Sequence, residues 1–194
     1  MQPNSVIGAI VLTALGFSTS KLSATDPIPV GEAAPNFQVT STEGKEWTLE
    51  SFEEAKVIVV CFTSNSCPVA RSYEERFNEF SLAYGEKGVE FVAINCDPNE
   101  IADGATKAAA ERNLVYRYAV DAQGESAKEY GATVTPQIFV IDKERKVAYT
   151  GPFDDDLSAP KSHYVRDAVT SLLAGKRPTI KTRRPFGCRI KLKR

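Results

Sequence analysis

Residues 57–62, Val-Ile-Val-Val-Cys-Phe, form an unbroken apolar run rich in β-branched side chains. A half-exposed strand would alternate apolar with polar residues, so this run predicts a strand buried on both faces of a largely parallel sheet. Cys67-Pro68 then opens a segment in which Ala70, Tyr73, Phe77, Phe80 and Tyr84 recur at steps of three and four, with Arg71, Glu74, Glu75, Asn78 and Glu79 between them. That pattern is one amphipathic helix beginning at Pro68, whose missing N–H costs little in a first turn, and Gly85 and Gly88 end it. Residues 89–95 read as the next strand. A helical crossover makes the two strands parallel neighbours, so their C-terminal ends share one rim, with Cys67 and Cys96 on it.

Elsewhere the chain alternates in the same manner. Residues 34–40 and the turn Glu43-Gly44-Lys45 predict a short edge strand and hairpin, and Leu49 and Phe52 a helical turn. Asn99 caps a helix running through Arg112; residues 118–121 form a short strand and 126–130 a short helix closed by Gly131. Residues 133–142 read as one strand with a proline at its head, paired across the turn 143–145 with residues 146–150. Val165, Ala168, Val169, Leu172 and Leu173 mark a last amphipathic helix, capped by Gly175. The fold class is α/β, one domain over residues 30–175.

Both ends differ from this body. Residues 6–17 are almost wholly apolar and lead into the small polar stretch 18–24. The run is shorter than the ~18–20 residues of a spanning helix, so residues 1–24 read as an export signal, with a membrane anchor or a buried helix of the domain as alternatives. Residues 26–175 carry 14 basic side chains against all 25 acidic ones, whereas residues 176–194 carry 9 basic and none acidic. Such a tail is a solvated terminus, a patch for an anionic partner, or a segment drawn onto its own acidic body.

Export would place Cys61, Cys67, Cys96 and Cys188 where disulfides persist. Cys67 is the reactive candidate, because orphan N–H groups and the helix dipole favour thiolate at a helix N-terminus. Cys61 reads as a core residue; Cys96 is a packing residue or a resolving thiol. Cys188 is either free on a solvated tail or brought back to Cys67, with Arg184, Arg189 and Lys191 favouring its thiolate. Arg71 and Arg76 read as solvated helix residues paired with glutamates, His163 as a surface residue, and Asp154-Asp155-Asp156 as a solvated turn with cation binding as the rival use. No phosphate loop, zinc-type cysteine pairs or Ser/His/Asp arrangement is present in the sequence.

Three motifs, Ala34-Pro35-Asn36-Phe37, Cys67-Pro68 and Val134-Thr135-Pro136, resemble the thioredoxin-like superfamily in its redoxin branch, which includes the alkyl hydroperoxide reductase/thiol-specific antioxidant (AhpC/TSA) domains. Asn65-Ser66-Cys67-Pro68-Val69-Ala70, Tyr73-Glu74-Glu75-Arg76, Asp154-Asp155 and Gly187-Cys188-Arg189-Ile190-Lys191 resemble a bacterial subgroup with a C-terminal Gly-Cys-x-Ile-Lys element. The resemblance implies a central mixed sheet flanked by helices, with an N-terminal hairpin. It also implies a cis bond before Pro136, beside Cys67, that leaves the Thr135 backbone to pair with a substrate strand. The bland reading is a trans proline at a strand start. Two departures stand out: Ala70 replaces the second cysteine of a Cys-x-x-Cys site, and Val60 stands where peroxiredoxins carry proline, although Thr63 and Ser64 offer a hydroxyl.

The function expected is an exported, periplasmic thiol–disulfide oxidoreductase or thiol-dependent peroxidase. Its site residues are Cys67 as nucleophile, Cys188 as resolving thiol, Pro136 and Thr135. Its partners are a disulfide or peroxide substrate and a thiol electron donor. No cofactor, metal or nucleic acid is expected, and a membrane only if residues 1–24 remain uncleaved. The alternatives are a redox-inactive thioredoxin-like binding module and a copper-handling protein.

Overall fold

In the computed structural model, which describes residues 26–100 and 102–191, the run read as a buried strand lies between two strands and is buried along its whole length. The segment 1–24 read as a leader lies outside the described residues. In chain order the elements are β1 (Gln38–Ser41), β2 (Glu46–Thr48), a 3-10 turn (Leu49–Phe52), β3 (Val57–Thr63), α1 (Pro68–Arg71), α2 (Glu74–Gly85) and β4 (Val89–Asn95). Then follow α3 (Ala102–Glu111), β5 (Arg117–Val120), α4 (Glu125–Glu129), β6 (Val134–Thr135), β7 (Gln137–Ile141), β8 (Val147–Gly151), α5 (Tyr164–Leu173) and β9 (Cys188–Arg189). Seven strands form a mixed sheet in the order β2-β1-β5-β4-β3-β7-β8, with β3, β4 and β5 parallel and the remaining pairs antiparallel.

Alternate residues of β3 feed two cores. Val57, Val59 and Cys61 pack with Phe77, Phe80, Val165 and Val169 on one face, under α2 and α5. Ile58, Val60 and Phe62 pack with Phe52, Ala127 and Tyr130 on the other. Burial of each large side chain contributes roughly 1.5–3 kcal/mol, which fixes β3 in register wherever both faces are covered. The register pairs Thr63 with Asn95 at the shared rim, and the Cys96 N–H donates to the Thr63 carbonyl at 3.1 Å.

Four local expectations are corrected. The edge of the sheet is β2, with β1 second, because β1 also pairs with β5. The helix expected from Pro68 is broken at Ser72-Tyr73: the Ser72 hydroxyl donates to the Pro68 carbonyl at 2.9 Å, and Tyr73 N–H bonds Ala70, three residues back, at 3.0 Å. The strand expected over residues 133–142 is split into β6 and β7 at Pro136, which follows a cis peptide bond and has no N–H for the ladder. Finally, Asp154 is no part of a solvated turn. It is 1% exposed, accepts the Tyr73 hydroxyl at 2.6 Å and pairs with Arg76, which also donates to the Asp156 carbonyl at 3.0 Å. Arg76 therefore bonds an aspartate loop and no glutamate, whereas Asp155 and Asp156 are spent on N–H groups of residues 158–162.

This buried carboxylate ties α2 to the loop before α5. Asp154→Ala leaves a buried phenol without its acceptor and a guanidinium without its carboxylate, though Arg76 keeps the carbonyls of Asp156 and Leu157. It should cost about 2–3 kcal/mol, below the 3–5 typical of a fully buried pair because the Arg76 side chain keeps 20% exposure. Urea unfolding should show a lower midpoint at unchanged slope, with Tyr73→Phe costing less than half as much.

Candidate active site

Cys67 caps the N-terminus of α1 and is 2% exposed. Its carbonyl accepts the Arg71 N–H at 3.0 Å and its sulfur accepts the Ala70 N–H at 3.4 Å. The side chain of Ala70 is buried, so the position that holds sulfur in a Cys-x-x-Cys site holds packing here. As a thiol, Cys67 also donates to the Thr135 carbonyl at 3.0 Å, across the cis Thr135–Pro136 bond. The structure thus brings Cys67 and the cis Thr135–Pro136 bond together.

The basic tail arrives at the same point. β9 pairs antiparallel with β6, Cys188 opposite Thr135 and Arg189 opposite Val134, and the Ile190 N–H donates to the Thr133 carbonyl at 3.0 Å. The two sulfurs lie 2.6 Å apart as free thiols, so a bond of about 2.05 Å requires little side-chain movement. Two glycines admit the tail. A Cβ on Gly187, at φ +151°, would stand 2.1 Å from the Thr135 carbonyl oxygen, and one on Gly151 would stand 2.8 Å from that of Arg183. At the Gly151 crossing Thr150 exchanges backbone bonds with Lys181 and Arg183 at 3.0 and 3.1 Å. The tail is thus laid against β6, and Cys188, a free thiol in this structure, is held beside Cys67.

Sequence reasoning overlooked what holds the loop before Cys67. One Glu100 carboxylate accepts the N–H groups of Asn65 and Ser66 at 3.2 and 2.9 Å and the Ser64 hydroxyl at 3.2 Å, and Asn95 binds it as well. Asp97 accepts the hydroxyls of Ser66 and Ser64 at 2.9 and 3.2 Å. The available signal was an acidic pair directly after β4, on the rim that also carries Cys67. Among the other candidates, Cys61 is fully buried, Cys96 is buried and donates weakly to the Thr63 carbonyl, His163 is exposed at the start of α5, and Arg71 is exposed.

Burial alone would raise the Cys67 thiol. Hydrogen bonds from the Cys188 thiol, from the Thr135 side-chain hydroxyl and from the Ala70 N–H outweigh it and bring the group below its ordinary value. Cys188 moves up instead, first through burial and then through its hydrogen bond to Cys67 and the charge there. The expectation that nearby basic residues would lower Cys188 fails, because burial and then the adjacent sulfur, which claims the negative charge, raise it. Burial raises Cys61 and takes Cys96 up to about 12.

The order of ionisation follows. On titrating the reduced protein, the first rise in thiolate absorbance at 240 nm should belong to Cys67, below the usual ~8.5. That step should vanish in Cys67→Ala and move to higher pH in Cys188→Ala, which removes a donor to the thiolate.

The Redoxin family model matches residues 29–166. Thiol-disulfide oxidoreductase ResA of Bacillus cereus (strain ATCC 10987 / NRS 248) is 33% identical over 144 residues, 73% of this chain and 82% of that protein. The hypothetical protein SMc02350 from Sinorhizobium meliloti 1021 superposes with a TM-score of 0.80 at 30% identity, over 87% of this chain and 97% of that one. Peroxidoxin BcpB from Mycobacterium tuberculosis shares the fold, with a TM-score of 0.60 at 20% identity over 76% and 97% of the two chains. With its mixed sheet, its capping cysteine and its cis proline beside that sulfur, the chain belongs to the redoxin family of the thioredoxin-like superfamily.

Proposed function

We propose that the chain is an exported thiol–disulfide oxidoreductase in which Cys67 is the nucleophile and Cys188 the resolving thiol. Action on thiols or disulfides accords with membership of the redoxin family. The observation that carries the finer assignment is the 2.6 Å approach of the two sulfurs across the β6–β9 pairing. Export is supported by the apolar run and small residues of the leader-like segment; no helix among the described residues is long and apolar enough to cross a membrane.

The reaction proceeds in two exchanges. The Cys67 thiolate attacks one sulfur of a substrate disulfide, forming a mixed disulfide and releasing the other sulfur as thiolate. Cys188 then attacks the Cys67 sulfur, forming the Cys67–Cys188 bond and releasing the second substrate thiolate. The order is self-timed. While Cys67 is charged, that charge helps to hold Cys188 protonated; in the mixed disulfide Cys67 is neutral, and Cys188 can ionise. Thr135 and Pro136 act as positioning residues, Thr135 through its carbonyl at the sulfur and its pairing with β9.

Disulfide exchange is favoured over peroxide cleavage by the surroundings of Cys67. Peroxide reduction calls for a donor to stabilise the departing oxygen. Among the described residues no arginine hydrogen-bonds to Cys67, and Arg76 is committed to Asp154. A redox-inactive binding module has no use for a second thiol at bonding range.

Reduction of insulin with a dithiol donor tests the assignment. Cys67→Ala should lose at least 100-fold in rate, and Cys188→Ala should accumulate a Cys67–substrate mixed disulfide visible by mass. If Cys67 stays unmodified under both oxidised glutathione and peroxide, with a thiol pKa near ~8.5, the proposal fails.

A further inference from the structure

In the oxidised protein the two sulfurs are unequal targets, and the tail decides between them. We infer that once Cys67 and Cys188 are joined, the incoming reductant thiol attacks Cys188, and Cys67 is the group that leaves. The inference rests on the Cys67–Cys188 couple proposed above and adds the direction in which it is opened.

Access supplies the first argument. Cys67 is 2% exposed and is enclosed by the Thr135 carbonyl at 3.0 Å, the Ala70 N–H at 3.4 Å and Cys188 itself. Both sulfurs border a cavity of about 200 Å³, walled also by Ser66, Asp97, Arg189 and Lys191, but Cys188 is only half-buried there whereas Cys67 is almost fully covered. A compact thiol entering that cavity meets Cys188 as the more exposed of the two sulfurs. An extended partner segment cannot reach Cys67 by adding a strand to β6, because β9 already pairs with it. Joining the sulfurs pins β9 in place. In the reduced protein only a two-residue strand has to lift before a substrate reaches Cys67, so the two half-reactions use different sulfurs.

Leaving-group chemistry supplies the second argument. In thiol–disulfide exchange the sulfur with the lower thiol pKa departs faster. Cys67 is lowered and Cys188 raised, so expulsion of Cys67 is the easier direction. The step balances. A thiolate RS⁻ bonds to the Cys188 sulfur, the Cys188–Cys67 bond breaks, and Cys67 departs with the electron pair. A second thiol then attacks the R–S–S–Cys188 bond, giving R–S–S–R and the Cys188 thiol. Two external thiols are oxidised to one disulfide, and their protons pass to Cys188 and to Cys67 or solvent.

The test uses the full chain, oxidised by one equivalent of diamide and checked for the Cys67–Cys188 bridge by peptide mass. It is then mixed with reduced glutathione for milliseconds, quenched in acid, and mapped after free thiols are blocked. Glutathione should sit on Cys188 with Cys67 blocked, in at least ten-fold excess over the reverse. Equal partition, or excess on Cys67, overturns the inference while leaving the couple intact. Absence of the bridge before glutathione is added overturns the couple, and the inference with it. Gly187→Ala, whose methyl cannot coexist with β9 on Thr135, should move the adduct toward Cys67; an unchanged ratio would sink the role given to the tail.

Discussion

The pairing of β9 with β6 is the contact on which the site depends, since without it the chain carries one capping cysteine beside an alanine. Its formation requires three separate features to agree. Pro136 separates β6 from β7, so that Thr135 serves the tail and Gln137 serves the sheet. Gly187 lets the tail backbone approach the Thr135 carbonyl at a distance no side chain permits. Finally, Lys181 and Arg183 bond the edge strand β8 at Thr150, which fixes the tail's direction before it reaches Cys188. A two-residue strand is weak alone; here it closes a path already set on both sides.

Charge around the sulfurs is distributed with similar economy. Glu100 and Asp97 would oppose a thiolate by repulsion, yet both are engaged by the hydroxyls and N–H groups of Ser64, Asn65 and Ser66. Hydrogen bonds hold Asp97 ionised despite its burial. The negative charge that survives near Cys67 is thus directed at its own loop, and the thiolate relies on short-range donors. Arg112 joins this network through Asn65 and Glu74 at 3.2 and 2.7 Å, linking the loop to α2.

The core of the fold was legible because its signals are periodic. The continuous run of β3, the 3-4 spacing of Phe77 and Phe80 and the crossover to β4 each follow from which faces must be buried. Cys67 was legible for the same reason, as it stands where one period gives way to another. Less visible were features set by partners distant in sequence. At the break, the Tyr73 hydroxyl bonds Asp154, 81 positions away, and a helical repeat carries no mark of it. Asp154, in a run of three aspartates, looks solvated until Arg76 and Tyr73 are seen against it. Charge counting brought Cys188 toward the body, but it gave the wrong sign for that thiol, because burial and then the neighbouring sulfur raise it.

The tail also spans the sheet from face to face. Phe186 packs against the core beneath α2 and α5, whereas Ile190, four residues on, packs against the opposite core. The segment is therefore a staple between the two layers as well as a carrier of sulfur. Truncating the chain after Gly175 would strip apolar cover from both faces at once, and the product would report aggregation of an opened sandwich in place of a missing thiol. Within this architecture, the chemistry of Cys188 can be separated from the integrity of the domain only by changes that leave Phe186 and Ile190 seated.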